Sequence, residues 1–387
     1  MAGIGMRPCH GLKLGPYLLP PTDEDAPFLQ KLWPKVLMAV HAGRTLRVDA
    51  DILETLLDGC PRDCLNLRDK REELASAIKP LLETGDDVSE ATAELISSAL
   101  DYHDQILEDN CGLCRLGKFH NILYVMVALA VEFNVQDTYV IIRLLEAIHR
   151  CEGGLDRIVL PAVVGPKITY MVCAWKPETD TAEEARYHLK FFLIHAMKSK
   201  LAFPSRDETQ LYRMIDAPII NMQCASPLYV AVQNNDEDAV LFLLQHGANP
   251  VVGGQLCPFT SVLMRLSNCA RDTISYRPKC GCKYGQCPCE LARPIPYPEV
   301  AVSVFRILLR AIAIPILIYN GHPLEVLQFL VHPRLYCDKL LSKEPPSLRH
   351  FSRVVVRDTL NKNWALPHGT HSLELPESLV KYVNLQT

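Results

Sequence analysis

Apolar residues recur along most of this chain at intervals of three and four, the spacing that buries one face of an α-helix. The segments 28–40, 72–82 and 89–107 show this pattern most clearly, and Asp87 supplies a capping residue before the third. The alternation typical of β-strands is scarce, and residues 168–173 form the one run that tempts a strand assignment. The sequence therefore predicts an all-α protein.

The length and charge of the chain limit the number of domains and the kinds of partner that it is expected to have. A chain of 387 residues favours two or three domains, and 49% hydrophobic with 22% charged residues excludes wholesale disorder. A net charge of −4 favours neither nucleic acid nor a membrane surface as a partner. Residues 51–109 carry 16 acidic and 5 basic side chains. This acidic run predicts a solvated helical surface or, alternatively, a face for a basic partner.

The chain begins without the apolar segment of a signal peptide. Its longest apolar stretches, 122–131 and 311–319, are shorter than the roughly 20 residues that a membrane helix requires. We therefore expect a cytoplasmic or nuclear location. The 15 cysteines, an odd number, are then expected to be thiols or metal ligands rather than disulfides.

Residues 226–250 contain a specific pattern, Ser-Pro-Leu-Tyr-Val-Ala-Val followed by Val240, Leu243-Leu244 and Gly-Ala-Asn-Pro. It resembles one ankyrin repeat. Pro227 suits the first position of a helix, and Gly247 suits a left-handed helix end.

A single repeat cannot bury both of its faces, so neighbouring repeats are required. Residues 257–263 with a second helix at 300–311 form a degenerate repeat, interrupted by an insertion at about 270–298. Residues 121–145 form a stretched upstream copy. We predict a degenerate ankyrin-repeat solenoid over 118–340, with an irregular helical bundle containing one look-alike as the alternative.

Residues 348–360 predict a short amphipathic helix near the C-terminus. Apolar residues share one face, and Arg349, Arg353 and Arg357 form a basic stripe at a spacing of four. A helix this short is not stable alone, so it must dock on the stack or on another protein.

This C-terminal segment resembles a SOCS box, which opens with an Elongin C-binding pattern, S-L-x-x-L-C-R-x-x-I-R, and closes with a cullin-5-selecting pattern, L-P-L-P-x-x-L-x-x-Y-L. Together with the repeat, it resembles the divergent members of the ankyrin-repeat and SOCS-box family, or a related ankyrin-domain protein with a SOCS-like box. The resemblance implies that Elongin C is bound by Leu348, Phe351, Ser352, Val355 and Val356. It implies that the cullin is bound by Leu373, Leu375, Pro376 and Leu379. Ser352 departs from the usual cysteine, and Glu374 departs from the first proline.

We predict three regions: an acidic N-terminal helical region at 1–117, which rests on charge and periodicity alone, the stack at 118–340 and the SOCS box at 345–387. The resemblance implies a non-catalytic substrate receptor that binds Elongin C with Elongin B, cullin-5 with its RING subunit, and an unidentified protein substrate. No phosphate loop, nucleophile elbow, zinc-protease or dinucleotide motif is found in the sequence. The alternative is an ankyrin interaction scaffold whose C-terminal helix is only a structural cap.

Four cysteines within ten residues, Cys280, Cys282, Cys287 and Cys289, could close a tetrahedral zinc site inside the insertion. Their spacing differs from that of paired zinc knuckles, so flexible surface thiols are the alternative. A second possible quartet is formed by Cys60, Cys64, Cys111 and Cys114. The helical histidines His120, His149 and His195 are expected to be partly buried scaffold residues.

Overall fold

The computed structural model describes residues 50–83, 87–205, 209–251, 256–275, 299–312, 318–319, 322–323 and 347–386. Within these ranges the chain is helical apart from two short antiparallel strand pairs, as the sequence predicts. None of the helices described is both long and apolar enough to cross a membrane. The helix predicted at 28–40 lies outside the described residues.

The chain divides into two compact units. The first contains the residues up to Gly153 together with Ala174–Glu178, and the second contains Gly154–Cys173 and the residues from Thr179 onward. The division falls inside the segment 118–340 that the sequence predicts as a single stack.

The first unit is built from five α-helices and one 3₁₀ helix (Cys64–Asn66) in its described part. The α-helices are α1 (Ala50–Leu57), α2 (Arg68–Leu82), α3 (Val88–Asp109), α4 (Lys118–Glu132) and α5 (Thr138–Glu152). The helices predicted at 72–82 and 89–107 are therefore confirmed, and the Asp87 carboxylate caps α3 by accepting the Glu90 amide at 3.1 Å. Helix α3 packs against α1, α4 and α5, and α2 packs against α4.

The segment Ala174–Glu178 is held in this unit by a buried arginine. The guanidinium of Arg71 lies 3.7 Å from the ring centroid of Trp175, and its Nε donates to Glu178 Oε1 at 2.5 Å. The Nη1 of Arg71 also donates to the carbonyls of Leu65 and Asn66, each at 3.0 Å. A buried charge is tolerated only when it is paired, and here the partners of Arg71 lie both in this segment and in the turn before α2, so the side chain links the two.

The second unit contains the remaining elements. Its helices are α6 (Asp156–Val164), α7 (Pro166–Cys173), α8 (Ala182–Lys198), α9 (Pro227–Gln233), α10 (Glu237–Gln245), α11 (Pro258–Ser275), α12 (Glu299–Ala311), α13 (Leu348–Lys362) and α14 (Glu377–Val383). Its strands are β1 (Ala202–Pro204), β2 (Leu211–Arg213), β3 (Ile318–Tyr319) and β4 (His322–Pro323), paired β1–β2 and β3–β4.

The run at 168–173 that tempts a strand assignment is part of helix α7. Both the amide and the hydroxyl of Thr169 donate to the carbonyl of Gly165, at 3.1 and 2.9 Å. A short apolar run does not distinguish a strand from a helix by periodicity alone, and the local backbone hydrogen bonds select the helix here.

Helices α9 and α10 form the helix pair of the predicted ankyrin repeat. The Ser226 hydroxyl accepts the Tyr229 amide at 3.2 Å, and the Asp236 carboxylate accepts the Ala239 amide at 2.9 Å, so each helix has a side-chain cap. Gly247 follows α10 with φ of +91°, which supports the predicted left-handed helix end.

The neighbouring helices continue the stack on both sides of this pair. Helix α9 packs on α11 and α10 packs on α12, so the degenerate repeat predicted at 257–311 occupies the next position. Helix α6 packs against both α8 and α9 and precedes the repeat. The segment 121–145, predicted as an upstream copy, lies in the first unit.

Candidate functional site

The C-terminal helix α13 begins where the sequence predicts it. The hydroxyl of Ser347 accepts the amide of His350 at 3.2 Å and caps the first turn. The helix then runs from Leu348 to Lys362. Its opposite faces have different environments, which determine what each can bind.

The inward face of α13 carries two of the three arginines of the predicted basic stripe, together with His350 and Leu360. Arg353 and Arg357 are buried, and only Arg349 is exposed. Arg349 and Arg353 lie 4.3 and 4.4 Å from the ring centroid of Tyr382 on α14. Arg353 and Arg357 can be buried because they have aromatic and carbonyl partners elsewhere in the second unit. The spacing of residues in the sequence does not reveal such partners.

Arg357 is nearly as buried as Arg353, with only 6% of its surface exposed. Its Nη1 donates to the carbonyl of Val383 at 2.9 Å, and its Nη2 donates to the carbonyl of Leu244 at the end of α10. Burial, and then the nearby charge of Arg353, lowers the pKa of Arg357 to about 10. The side chain therefore joins the C-terminal segment to the ankyrin repeat.

Two further side chains strengthen the same junction. The Nδ2 of Asn361 donates to the carbonyl of Gly247 at 3.2 Å, and the Nε2 of Gln245 donates to the carbonyl of Asn384 at 3.0 Å. A Cβ at Gly247 would lie 2.3 Å from Asn361 Oδ1, so the close approach requires glycine. Helix α13 is thus packed directly on the repeat.

A small apolar cluster completes the inward side. Leu360 packs with Leu366 and Val383, and Val356 and Leu375 pack against this cluster while half-buried. These two residues, predicted to bind Elongin C and the cullin, therefore face the chain's own core at least in part.

The outward face of α13 is apolar and exposed. Leu348 is 83% exposed, and Phe351, Ser352 and Val355 are also exposed. Their spacing of three, four and seven residues from Leu348 places them on one face of the helix. Four of the five residues predicted to bind Elongin C thus form one exposed stripe.

The predicted cullin-binding residues lie around the start of α14. Leu373, Pro376 and Leu379 are exposed there. Glu374, where the pattern has its first proline, has φ of +50° and ψ of +32°, which is left-handed backbone. Proline is locked near φ −65° and cannot adopt this conformation, so the departure from the pattern agrees with the local backbone.

The cysteine clusters have different outcomes. Cys280, Cys282, Cys287 and Cys289 lie outside the described residues. The quartet predicted from Cys60, Cys64, Cys111 and Cys114 is wrong, because the described coordinates do not bring these four together as a ligand group.

Cys114 instead lies with His103, His120 and Cys151, whose ligand atoms are all within 4.8 Å of one another. The hydrogen bond with Cys151 lowers the pKa of the Cys114 thiol and raises that of Cys151. Sequence reasoning missed this group because its members come from three helices and a loop. The one local signal was the Cys111/Cys114 pair beside His103 and His120.

Comparison with known protein families identifies two segments. A family model for the ankyrin repeat matches residues 224–253, and a family model for the SOCS box matches residues 344–384. No curated protein and no solved structure matches the chain.

Ankyrin repeats and SOCS boxes are adaptor-type domains, so the matched segments are consistent with a role in protein interaction. Their combination is that of an ankyrin plus SOCS-box protein. A SOCS box implies binding of Elongin B/C and a cullin, as in the substrate receptor of a ubiquitin ligase.

Proposed function

We propose that this chain is a non-catalytic substrate receptor of an Elongin B/C–cullin-5–RING ubiquitin ligase, acting in the cytoplasm or nucleus. The observation that carries the proposal is the exposed apolar stripe on α13, within a segment that matches the SOCS box. In this arrangement the ankyrin stack holds the target protein and the C-terminal box holds the ligase.

The orientation of α13 favours a partner over a purely structural cap. A capping helix buries its apolar face and leaves its charged residues in solvent. Here Arg353 and Arg357 are buried, while Leu348 and Val355 are exposed. An exposed stripe at helical spacing is the usual means by which a helix enters an apolar groove of another protein.

Leu348 is the anchor of the proposed Elongin C contact. Because its side chain is almost fully exposed in the free chain, nearly all of its apolar surface is available for burial on binding. Burying a leucine contributes about 2 kcal/mol, so truncation to alanine corresponds to an affinity loss of about 30-fold. Ser352 is close in size to the cysteine of the pattern and is expected to fit the same groove.

The test is a titration of purified Elongin B/C with the wild-type chain, Leu348→Ala and Leu211→Ala. Leu211 is 73% exposed on β2 and serves as a matched leucine outside the box. We expect Leu348→Ala to weaken binding about 30-fold and Leu211→Ala to bind like wild type. Absence of binding by a folded wild-type chain would refute the receptor and support the scaffold alternative.

For the cullin, the exposed residues Leu373, Pro376 and Leu379 form the proposed contact. The preassembled complex with Elongin B/C is offered cullin-5 or another cullin. Leu379→Ala is expected to reduce cullin-5 capture while leaving Elongin B/C binding unchanged. Equal capture of both cullins would reject the choice of cullin-5 without affecting the receptor role.

The proposed mechanism is proximity. A receptor that holds a target beside the ubiquitin-charged enzyme raises the effective concentration of the target's lysines and makes or breaks no bond itself. Ubiquitin transfer to a bound target is therefore expected to fall with Leu348→Ala in proportion to the lost Elongin B/C binding, although the target is still captured. Transfer that survives loss of Elongin binding would contradict this mechanism.

A further inference from the structure

Four side chains of the kinds that bind zinc meet beside the loop between α3 and α4. His103 lies on α3, Cys114 in the loop, His120 in the first turn of α4, and Cys151 in the last turn of α5. His103 and His120 are buried, and both cysteines are half-buried. All four belong to the first unit, far in sequence from the segments that the receptor role uses.

The distances fit a tetrahedral ion. His103 Nε2 lies 3.7 Å from Cys114 Sγ and 3.5 Å from Cys151 Sγ. Zinc bonds of about 2.3 Å to sulfur and 2.0–2.1 Å to nitrogen place neighbouring nitrogen and sulfur ligands about 3.6 Å apart in a tetrahedron. The histidine therefore stands at ligand distance from both thiols without any rearrangement.

A carboxylate lies near one ring nitrogen of each histidine. Glu152 Oε1 lies 2.8 Å from His120 Nε2, and the buried His120 Nδ1 makes no full hydrogen bond, although the His120 ring interacts with the Cys114 thiol. Asp104 Oδ1 lies 3.6 Å from His103 Nδ1, which is beyond hydrogen-bond distance, so His103 Nδ1 has no hydrogen-bond partner among the described residues. Metal-binding histidines characteristically present one nitrogen to the ion and the other to a carboxylate or carbonyl. His120 is only 1% exposed, so water does not readily satisfy its free nitrogen.

The loop that carries Cys114 has little apolar packing of its own. Leu113 and Leu116 are exposed, and Cys111 and Leu116 have left-handed backbone with φ of +56° and +55°. Such a conformation costs free energy and persists only when the surroundings hold it. A ligand bond at Cys114 would tie this loop to α3, α4 and α5 at once.

We propose that His103, Cys114, His120 and Cys151 bind one structural zinc ion, with His103 ligating through Nε2 and His120 through Nδ1. Two thiolates balance the charge of the ion, and two nitrogens with two sulfurs is a common ligand set of structural zinc. Because all four positions are filled by protein, the site has no open coordination position for catalysis. Its role is to fasten the α3–α4 loop to the helices around it.

The experiment measures zinc per chain by elemental analysis of the purified full-length protein. To isolate this site, every chain carries serine at the four positions of the other cysteine cluster: Cys280→Ser, Cys282→Ser, Cys287→Ser and Cys289→Ser. In that background, Cys114→Ser and Cys151→Ser are each expected to lose about one zinc ion. The control Cys111→Ser changes an exposed thiol of the same loop and is expected to retain the zinc.

A second measurement does not depend on the folding of the variants. The same background protein, refolded with Co²⁺ in place of zinc, is expected to show the visible absorption of tetrahedral cobalt with two thiolates. Chelation is expected to lower its melting temperature. The proposal is overturned if the zinc-supplemented protein holds no zinc, if Cys114→Ser retains it, if cobalt shows no tetrahedral spectrum, or if Cys114 and Cys151 are joined in a disulfide.

Discussion

Replacing Arg357 by methionine tests how the C-terminal box is attached to the repeat. Methionine keeps much of the length and apolar stem of the side chain but removes both donors. The carbonyl of Leu244 still accepts the amide of Gly247 at 3.0 Å, whereas the carbonyl of Val383 accepts no other described hydrogen bond. Leaving one buried carbonyl unsatisfied costs about 1–3 kcal/mol, and a lost charged hydrogen bond costs about 1.5–3 kcal/mol.

Part of that cost is offset, because the variant no longer buries a charge. We therefore expect Arg357→Met to lower the free energy of unfolding of the second unit by about 2–4 kcal/mol. Arg357→Lys keeps the charge but replaces the two guanidinium nitrogens that reach the two carbonyls by a single nitrogen, so its stability should fall between those of wild type and Arg357→Met. Arg349→Met should change stability by less than about 1 kcal/mol because Arg349 is exposed.

The assay is urea unfolding, followed by fluorescence and by proteolytic release of the C-terminal segment. An unfolding midpoint for Arg357→Met equal to that of wild type would refute the reasoning, since it would mean that the guanidinium contributes no net attachment.

Three further outcomes are expected. Burial lowers the pKa of His246 to about 4, so the stability that its neutral form contributes is present above about pH 6.5 and is lost as pH falls toward 4. Between pH 6.5 and 5, the free energy of unfolding of His246→Gln should therefore fall by up to about 2 kcal/mol less than that of wild type, as measured from melting curves. Equal pH dependence of the two proteins would contradict this. Leu360→Ala should destabilise the C-terminal box by about 2–3 kcal/mol because Leu360 is buried, whereas Leu348→Ala should leave the melting temperature of the chain unchanged because Leu348 is exposed. Similar losses of stability in the two variants would show that the two leucines do not differ in burial. Glu374→Gly should stabilise the turn by up to about 1 kcal/mol because its left-handed backbone suits glycine, while Glu374→Pro should destabilise it; the reverse order of melting temperatures would exclude this turn.

The parts that the sequence predicted correctly depend on neighbours along the chain. Pro227 and Gly247 mark the limits of the repeat because each reports a backbone angle that its own residue type favours. The cap at Ser347 is equally local. Such signals need no knowledge of tertiary contacts.

What the sequence could not provide depends on partners distant in the chain. The inward direction of Arg357 on α13 is decided by the carbonyls of Leu244 and Val383, which are more than a hundred residues apart in the chain, so the spacing of the arginines alone does not show which way they face. The His103–Cys151 group spans three helices and has no fixed spacing motif. In both cases the sequence shows the residue types, but it does not show that they come into contact in the folded chain.

The contact between Gly247 and Asn361 bears on whether the box can be exchanged between proteins. The glycine carries no Cβ where the asparagine approaches, and Arg357 and Gln245 complete the same junction. Residues 347–386 therefore cannot be exchanged between ankyrin proteins without loss of these contacts. Grafted onto a foreign ankyrin stack, these residues would keep the exposed apolar stripe of α13 but lose the contacts to Gly247, Leu244 and Gln245 that orient the helix. If the chain acts as the proposed receptor, a chimera is expected to bind Elongin B/C but to hold it in a different orientation relative to the stack.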